Sequence, residues 1–354
     1  MSRTILRGRD WINTQEWSRE ELETALSLAF DLKLKFASGV EHEYLRGKTN
    51  FLLFYNPSLR TRNSFEAGIT QLGGHAHFLS PANMYAPGTV DIEVPGHLVK
   101  ETKEDLTDTA RVLSRYGHAI SIRIFQDASG WIHGRGNAIV REYAKWADIP
   151  VINMECDLYH PCQAMADLMT IKEKFGDVQG KKIAITWAYS DKDRTIGVMH
   201  SAALLCTQFG MKVTVAHPKG YEFDDHVIKS CKENASQYNG NFEVVDDMDE
   251  AFRDADIVMP KSWLSNDFLP PKNAKVDLQG GRALAAKYKS WKCTEEKLKL
   301  CKKDAIYMHC APVDRKNEVT DEVVDGPHSV VFDQAENRMH VQKAIMALVM
   351  GGRP

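Results

Sequence analysis

Four short segments of the chain carry residue types that bind anions or polarise carbonyl groups. The first, FYNPSLRTRNSFEAGITQLGG, places Ser58, Arg60, Thr61 and Arg62 after an apolar strand pattern and at the predicted start of a helix. The unpaired backbone N–H groups and the dipole at a helix N-terminus favour an anion. Guanidinium and hydroxyl groups at the same place suit a phosphate. A capped helix with two solvated arginines is the simpler alternative for this segment alone.

The second segment, MECDLYHPCQAMADL, places a histidine at another predicted helix start. His160 precedes Pro161, which fits the first turn of a helix, and Gln163 is one turn further on. A histidine at a helix N-terminus tends to stay neutral and can donate a hydrogen bond to a carbonyl oxygen. On this segment alone, a capping histidine and a surface glutamine remain the alternative.

A zinc site is a different interpretation of the same region. The candidate ligands are Cys156, His160 and Cys162, with His309 and Cys310 elsewhere in the chain. Their spacing matches neither a zinc knuckle nor a zincin helix, and neither H-E-x-x-H nor a paired C-x-x-C occurs. We therefore expect neither a metal nor a cofactor.

The third and fourth segments lie near the C-terminus. In AIYMHCAPVDRKNEVTDEV a predicted strand ends at His309 and Cys310 and a proline turn follows, which is where α/β sheets place ligands. A lone cysteine there is more often a small buried residue than a nucleophile. FDQAENRMHVQKAIMALV predicts an amphipathic helix with Arg338 in its first part. Alone, that arginine indicates only a surface charge.

The elements that must position these segments alternate along the chain. Short apolar, β-branched runs predict strands at 50–55, 75–79, 119–124, 150–154, 182–187, 212–217, 242–245, 256–260, 305–308 and 329–332. Helical patterns lie at 18–36, 104–116, 136–147, 161–175, 195–209 and 335–350. Several strand candidates are apolar on both faces, as parallel strands covered by helices are. The alternation predicts an α/β fold with parallel sheets.

The length of 354 residues predicts two domains. We expect the first to comprise residues 1–150 together with a C-terminal helix at 335–354, and the second to comprise 151–334. Two long irregular stretches, 80–103 and 264–290, are candidates for functional loops or lids.

Composition limits the partners that this chain is expected to have. With 26% charged residues and a formal net charge of -3, nothing indicates nucleic acid or an anionic membrane as a partner. No apolar run approaches the roughly 20 residues of a membrane span. The N-terminal residues lack the apolar core of a signal peptide. The seven cysteines are scattered, which indicates reduced thiols and a cytoplasmic location.

Taken together, the segments resemble a known family. S-x-R-T-R after a strand, R-x-F at Arg123, H-P-x-Q, H-C-x-P and E-N-R occur in this order, as in the aspartate/ornithine carbamoyltransferase superfamily. The resemblance covers the chain from about residue 10 to residue 350. T-W-x-Y at 186–189 and K-S-W at 261–263 are similar to N-acetylornithine carbamoyltransferases and a related knotted transcarbamylase.

The resemblance implies that the first domain binds carbamoyl phosphate and the second binds an amine acceptor. A knotted second domain is compatible with it. The residues implied for the phosphate are Ser58, Leu59 through its backbone amide, Arg60, Thr61, Arg62 and Arg338. The residues implied for catalysis, through contact with the carbonyl oxygen, are Arg123, His160 and Thr61. Those implied for the carbamoyl NH2 group are Gln163 and the backbone carbonyls of Cys310 and Ala311.

The resemblance also implies a reaction and an assembly. A neutral amine would attack the carbamoyl carbon, a tetrahedral oxyanion would form and phosphate would leave, without a covalent enzyme intermediate. The family forms homotrimers with shared active sites, so loop 80–103 is expected to act in a neighbouring subunit. Arginine biosynthesis or amine catabolism would be the metabolic setting.

The acceptor site departs from the N-acetylornithine pattern. Lys261, Ser262 and Trp263 resemble the loop that frames the acceptor, and Trp263 is expected to supply an apolar wall. Asp314, followed by Arg315, stands where those enzymes carry an arginine, and Glu318 stands where they carry a lysine that can be carboxylated. If Asp314 faces the acceptor, a free α-ammonium group or a plain diamine would pair with it. The alternative acceptors are N-acetylornithine and putrescine. The alternative for Asp314 is that it pairs with Arg315 or Lys316 and does not contact the substrate.

Two other classes fit the sequence less well. A dinucleotide-dependent oxidoreductase would tolerate the α/β pattern, but no G-x-G-x-x-G follows a predicted strand. A homologue that only binds a partner would not need the full set of carbamoyl phosphate residues.

Overall fold

The computed structural model describes residues 5–81 and 104–351, so most of loop 80–103 lies outside the described residues. The chain divides into two compact units, which we call the first unit (Met1–Met165 with Asn337–Pro354) and the second unit (Ala166–Glu336). The strand at 151–156, which the sequence analysis placed just beyond the expected boundary, belongs to the sheet of the first unit.

The first unit contains a parallel sheet of four strands in the order β2-β1-β3-β4. The strands are β1 (Thr49–Phe54), β2 (His75–Leu79), β3 (Ala119–Ile124) and β4 (Val151–Cys156). The helices that begin in this unit are α1 (Arg19–Ala37), α2 (Arg60–Gln71), α3 (Leu106–Tyr116), α4 (Arg135–Trp146) and α5 (Pro161–Phe175).

The second unit contains a parallel sheet of five strands in the order β7-β6-β5-β8-β9. The strands are β5 (Lys182–Trp187), β6 (Lys212–Ala216), β7 (Asn241–Val245), β8 (Ile257–Lys261) and β9 (Ile306–Tyr307). The remaining helices are α6 (Gly197–Gln208), α7 (Asp225–Gln237), α8 (Met248–Phe252), α9 (Leu278–Ala285), α10 (Glu295–Leu298), α11 (Asp321–Val324) and α12 (Val331–Val349).

Local sequence explains where these elements begin and how they are buried. Ser18 and Glu21 form a capping box at the start of α1. The central strands β1, β3, β5 and β8 are buried on both faces almost throughout, as strands covered by helices must be. Helix α6 is buried at every position. The prediction of an α/β fold with parallel sheets is confirmed.

The C-terminal helix packs back on the first unit, as the fold prediction requires. Lys33 Nζ donates to Asn337 Oδ1 at 2.7 Å, and Lys48 Nζ donates to the backbone carbonyl of Met350. Helix α12 therefore starts in the second unit and ends among residues of the first.

The strand predicted at 329–332 is wrong. Val330 N–H donates to the Tyr307 carbonyl at 3.0 Å, and Ser329 forms a single bridge with Tyr307. Helix α12 begins at Val331, so Phe332 is helical and largely exposed. The β-branched run predicted a strand from local preference, but the edge strand β9 offers only two residues to pair with.

Two further differences concern helices. Helix α7 lies between β6 and β7, where the sequence analysis named no helix. The irregular stretch 264–290 contains α9 and two 3₁₀ helices, Asn266–Phe268 and Ala286–Tyr288.

Across the part of the chain that the structure describes, no helix is long and apolar enough to cross a membrane.

Candidate active site

The turn after β1 leads directly into helix α2, as the first segment predicted. The side chain of Ser58 accepts a hydrogen bond from the Thr61 backbone N–H at 3.1 Å, so the serine caps one of the first N–H groups of the helix. The helix ends before Gly73, whose φ of +73° is the left-handed conformation that glycine adopts at a helix C-terminus. Arg60 is the first residue of α2, and Leu59 before it is exposed.

Two guanidinium groups meet at the buried hydroxyl of Thr61. Arg338 Nη2 donates to Thr61 Oγ1 at 2.9 Å, and Arg123 Nη1 lies 3.4 Å from the same oxygen. Arg123 sits near the C-terminal end of β3, and Arg338 sits in α12. Because the Thr61 oxygen accepts from both arginines, its own hydrogen is available to donate elsewhere.

A carboxylate that the sequence analysis missed lies beside these arginines. Glu155 forms an ion pair with Arg123, and its Oε2 lies 3.5 Å from His160 Nε2. The two strands explain the pair, since Arg123 and Glu155 are register partners in β3 and β4. A glutamate at the end of an otherwise apolar strand was the available signal.

The other residues of the first and second segments take up different positions. Gln163 lies buried in the first turn of α5, next to His160 in the chain. Arg62 is turned along its own helix, where Nε donates to Glu66 at 2.8 Å and the guanidinium lies 3.7 Å from the Phe78 ring centroid. The first unit thus brings Thr61, Arg123, His160 and Arg338 together, whereas Arg62 contacts Glu66 and Phe78.

Burial also bears on the thiols once considered as zinc ligands. Burial raises the pKa of both Cys156 and Cys162 to about 12. Both thiols are therefore protonated near neutral pH.

In the second unit, the carboxylate of Glu318 is surrounded by donors. Its Oε1 accepts from the backbone N–H and the hydroxyl of Ser262, both at 2.7 Å, and its Oε2 accepts from the Asp314 N–H at 2.7 Å. Burial alone would raise the pKa of Glu318, but the hydrogen bond from His309, the charge of Lys261 and the hydrogen bonds from Ser262 and Asp314 hold it well below the usual value. Glu318 is thus a buried anion that ties the turn after β9 to the end of β8.

His309 completes this arrangement as a neutral ring. Its Nδ1 accepts from the Ala311 N–H at 3.0 Å, so the proton must be on Nε2, which lies 3.1 Å from Glu318 Oε2. Burial lowers the pKa of His309 in spite of the neighbouring carboxylate. Ala311 has a φ of +49°, an uncommon conformation for a residue with a side chain.

Asp314 and Arg315 are both engaged by partners that differ from the expected ones. Lys192 Nζ donates to Asp314 Oδ1 at 2.8 Å, and Ser190 also donates to this carboxylate. The partners of the Asp314 carboxylate are therefore Lys192, Ser190 and Asn317, rather than Arg315 or Lys316. Arg315 extends along the surface, where it pairs with Asp321 at 2.9 Å and Asp325 at 2.7 Å.

Trp263 does not present an open apolar wall. Only 3% of the residue is exposed, its indole N–H donates to the Tyr221 carbonyl at 3.0 Å, and its ring packs edge-on against Phe223. Lys261 is also buried, at 5% exposure, and among the described residues its ammonium forms no hydrogen bond. Of the K-S-W residues, lysine is thus the one with unused hydrogen-bonding capacity.

Comparison with known families accounts for both units. Residues 9–173 match the carbamoyl-P binding domain of aspartate/ornithine carbamoyltransferase, and residues 179–349 match its Asp/Orn binding domain. The chain belongs to the aspartate/ornithine carbamoyltransferase family. It is an enzyme, a carbamoyltransferase.

Individual relatives fall into two named activities. Ornithine carbamoyltransferase of Thermococcus kodakarensis is 41% identical over 347 residues, which are 98% of each chain. N-acetylornithine carbamoyltransferase of Xanthomonas campestris pv. campestris is 36% identical over 346 residues, which are 97% of this chain and 98% of the relative.

Solved structures agree with this division. A variant of N-acetyl-L-ornithine transcarbamylase complexed with PALAO superimposes with a TM-score of 0.87 at 35% identity, covering 96% of this chain and 99% of the other. Ornithine carbamoyltransferase from Pyrococcus furiosus superimposes with a TM-score of 0.82 at 38% identity, covering 99% and 100%.

Proposed function

We propose that this carbamoyltransferase transfers the carbamoyl group of carbamoyl phosphate to the terminal amine of an ornithine-like acceptor and releases phosphate. The observation that carries the first half is the convergence of Arg123 and Arg338 on Thr61 beside the start of α2. An anion at this helix start meets backbone N–H groups and guanidinium donors together. The second half is supported by the names of the relatives, which act on ornithine or N-acetylornithine.

In the proposed mechanism, the residues of the first unit bind and polarise carbamoyl phosphate. Ser58, Leu59 N–H, Arg60, Thr61 and Arg338 bind the phosphate, and Arg62 would have to leave Glu66 to join them. Arg123, His160 and Thr61 donate to the carbonyl oxygen, where negative charge develops as the amine attacks. Gln163 and the carbonyls of Cys310 and Ala311 accept from the carbamoyl NH2. Phosphate leaves and takes the proton of the amine.

Lys261 is the favoured group for binding an acceptor carboxylate. Lys261 is a buried residue whose ammonium forms no hydrogen bond among the described residues, whereas Arg315 is held by two aspartates. The expectation that Asp314 selects a free α-ammonium group loses its basis, because Lys192 already neutralises this carboxylate. Glu318 likewise has a hydrogen-bond partner on each oxygen. Acceptors with a carboxylate are therefore favoured over a plain diamine such as putrescine.

The decisive experiment measures phosphate release from carbamoyl phosphate with ornithine, N-acetylornithine and putrescine, together with detection of the carbamoylated product. We expect amine-dependent phosphate release with at least one carboxylate-bearing acceptor. Release that does not depend on any amine would contradict a transferase acting on this class of acceptor.

Asp314→Arg tests the role of the aspartate on the same panel. Because Asp314 pairs with Lys192, we expect the arginine to disturb the turn after β9 and to lower activity on all acceptors alike. A variant that loses ornithine and gains N-acetylornithine would restore the view that Asp314 selects the charge of the acceptor. Asp325→Arg, on the exposed partner of Arg315, is the matched control.

We also propose a homotrimer in the cytoplasm, with residues of loop 80–103 entering the active site of a neighbouring subunit. The resemblance supports the trimer, and the unpaired buried cysteines suit a reducing compartment. Light scattering at assay concentration tests the assembly. Arginine biosynthesis or amine catabolism is the proposed setting.

A further inference from the structure

A cationic side chain outside all the residues considered so far lies in the second unit. Arg194 belongs to the segment 188–196 after β5, and its carbonyl accepts from the Leu264 N–H at 2.9 Å. This bond holds Arg194 against the segment that carries Lys261. Its Nε is buried, and among the described residues neither Nε nor the rest of the guanidinium has a hydrogen-bond or ion-pair partner. A buried donor without an acceptor is costly unless a ligand supplies one.

The two charges that directly precede Arg194 on the same segment are compensated. Lys192 pairs with Asp314 at 2.8 Å, and Asp193 Oδ1 accepts from Arg282 Nε at 3.2 Å. These pairs fix the segment immediately before Arg194 without involving its guanidinium. A side chain that is held in place but lacks an acceptor is preorganised for an external anion.

Arg194 and Lys261 lie close to the same histidine. The positive charges of Lys261 and Arg194 both contribute to lowering the pKa of His309, after the larger effect of burial. The backbone agrees with this placement, because Ala188 N–H donates to the Lys261 carbonyl at 3.1 Å and Leu264 N–H donates to that of Arg194. These contacts are at the carboxyl ends of β5 and β8, the edge where parallel sheets bind ligands.

The charges around His309 do not cancel. Lys261 and Arg194 are positive, Glu318 is negative and His309 is neutral. Two positive charges and one negative charge leave one positive charge. A single carboxylate would neutralise it, whereas an ammonium group would add to it.

We propose that Arg194, together with Lys261, binds the carboxylate of the acceptor and is a specificity-determining residue for acceptors that carry one. The proposal rests on the proposed function and names a residue of its acceptor site. Guanidinium suits this task because it presents donors in a planar fork that matches a carboxylate. The order of preference that follows is an acceptor whose head group is a net anion, then a zwitterion, then a diamine without a carboxylate.

The test compares acceptors that differ only in their head group. Ornithine carries both the α-amine and the carboxylate beside its terminal amine. The compound 5-aminopentanoate lacks the α-amine and retains the carboxylate. Putrescine retains both amines and lacks the carboxyl group. Wild type, Arg194→Met and Arg194→Lys are assayed with each, with Arg253→Met as the control. Arg253 is an exposed arginine that follows α8 in the same unit, so its substitution removes the same charge from a distant surface.

We expect Arg194→Met to lower kcat/KM by about 10- to 100-fold for ornithine and 5-aminopentanoate, mainly through KM, because a charge-assisted pair is lost. Putrescine should change by less than about threefold, because it has no carboxylate to lose contact with. Arg194→Lys should recover part of the loss, and Arg253→Met should behave as wild type. Carbamoyl phosphate affinity, measured by calorimetry, should be the same in all four proteins.

Four results would overturn the inference. An equal loss on putrescine would mean that Arg194 only maintains the fold of the site, and weaker carbamoyl phosphate binding would assign it to the phosphate. An unchanged Arg194→Met, with wild type active on ornithine, would refute the role of Arg194 and leave the proposed function standing. If wild type carbamoylates no amine, the proposed function fails and the inference fails with it.

Discussion

In the first unit, buried guanidinium groups converge on a hydroxyl, whereas in the second unit backbone amides and a hydroxyl converge on a buried carboxylate. Thr61 accepts from Arg123 and Arg338, and Glu318 accepts from Ser262 and Asp314. The first arrangement presents guanidinium groups beside a helix start, which suits a phosphate. The second carries one net positive charge from Lys261, Arg194 and Glu318, which suits a ligand with one carboxylate. The difference between the two arrangements therefore matches the difference between the two proposed substrates.

The buried lysines of the two units, Lys261 and Lys343, also differ in the charge of their partners. Lys261 lies beside the Glu318 carboxylate, whose pKa its charge helps to lower. Lys343 in α12 has only neutral partners, with Nζ 2.9 Å from Gln71 Oε1 and 3.1 Å from His42 Nε2. A buried charge is tolerated in one unit by a compensating charge and in the other by neutral acceptors alone.

The largest effect is expected for Arg60→Ala. The substitution removes a guanidinium from the start of α2, and we expect carbamoyl phosphate affinity to fall by at least about 100-fold with the fold intact. Calorimetric titration measures the affinity, and circular dichroism checks the fold. Arg46→Ala is the control, because Arg46 is exposed and forms only a 3.8 Å contact with Glu43. Unchanged affinity in Arg60→Ala would break the assignment of phosphate to the first unit.

The second largest effect is expected on kcat when a residue that polarises the carbonyl group of carbamoyl phosphate is removed. We expect Arg123→Ala and His160→Ala to lower kcat by at least about 100-fold, because each removes a donor aimed at the developing oxyanion. Steady-state kinetics at saturating carbamoyl phosphate measures it. Full turnover in His160→Ala would mean that the histidine only caps helix α5.

These two predictions depend on residues that the sequence identified through local motifs. The strand, turn and helix around Ser58–Arg62 could be predicted because apolar runs, helix signals and the S-x-R-T-R pattern all lie within one short segment. Glu155 was missed because its role depends on the register of β3 and β4, which no local pattern encodes. Register depends on the whole sheet.

The acceptor side was less predictable for the same reason. Asp314 was expected to face a ligand or a neighbouring arginine, but its partner Lys192 is 122 positions away in sequence. The large apolar side chain of Trp263 predicted a wall for a substrate, but an indole is equally well placed in a core when its N–H finds a carbonyl. Residue type alone does not distinguish these outcomes.

The free energy of unfolding tests whether the buried Glu318 carboxylate stabilises the second unit. Glu318→Gln leaves Lys261 without its anion and sets an amide N–H2 group against a backbone N–H, so we expect a loss of about 3 kcal/mol in the free energy of unfolding. Chemical denaturation at pH 7 measures it. Glu322→Gln, on an exposed glutamate of α11, should change stability by no more than about 0.5 kcal/mol. Equal stability of the two variants would contradict a structural role for the buried anion.

The smallest effect is expected at Lys343, which sharpens the contrast between the two lysines. Burial lowers the pKa of Lys343 from 10.5 to about 8. Between these values the unfolded chain binds a proton that the folded chain has lost, so stability attributable to this residue rises with pH across the window. Below pH 8 both states are protonated, and the cost of burying the charge is constant.

Relative to Lys343→Met, the free energy of unfolding of wild type should therefore increase by on the order of 1 kcal/mol as pH rises from 8 to 10. Lys232→Met, at an exposed position of α7, should show no such difference. If the stability difference between wild type and Lys343→Met is independent of pH, the His42 and Gln71 acceptors hold the ammonium as effectively as a carboxylate would. The two units would then not differ in how they accommodate a buried lysine.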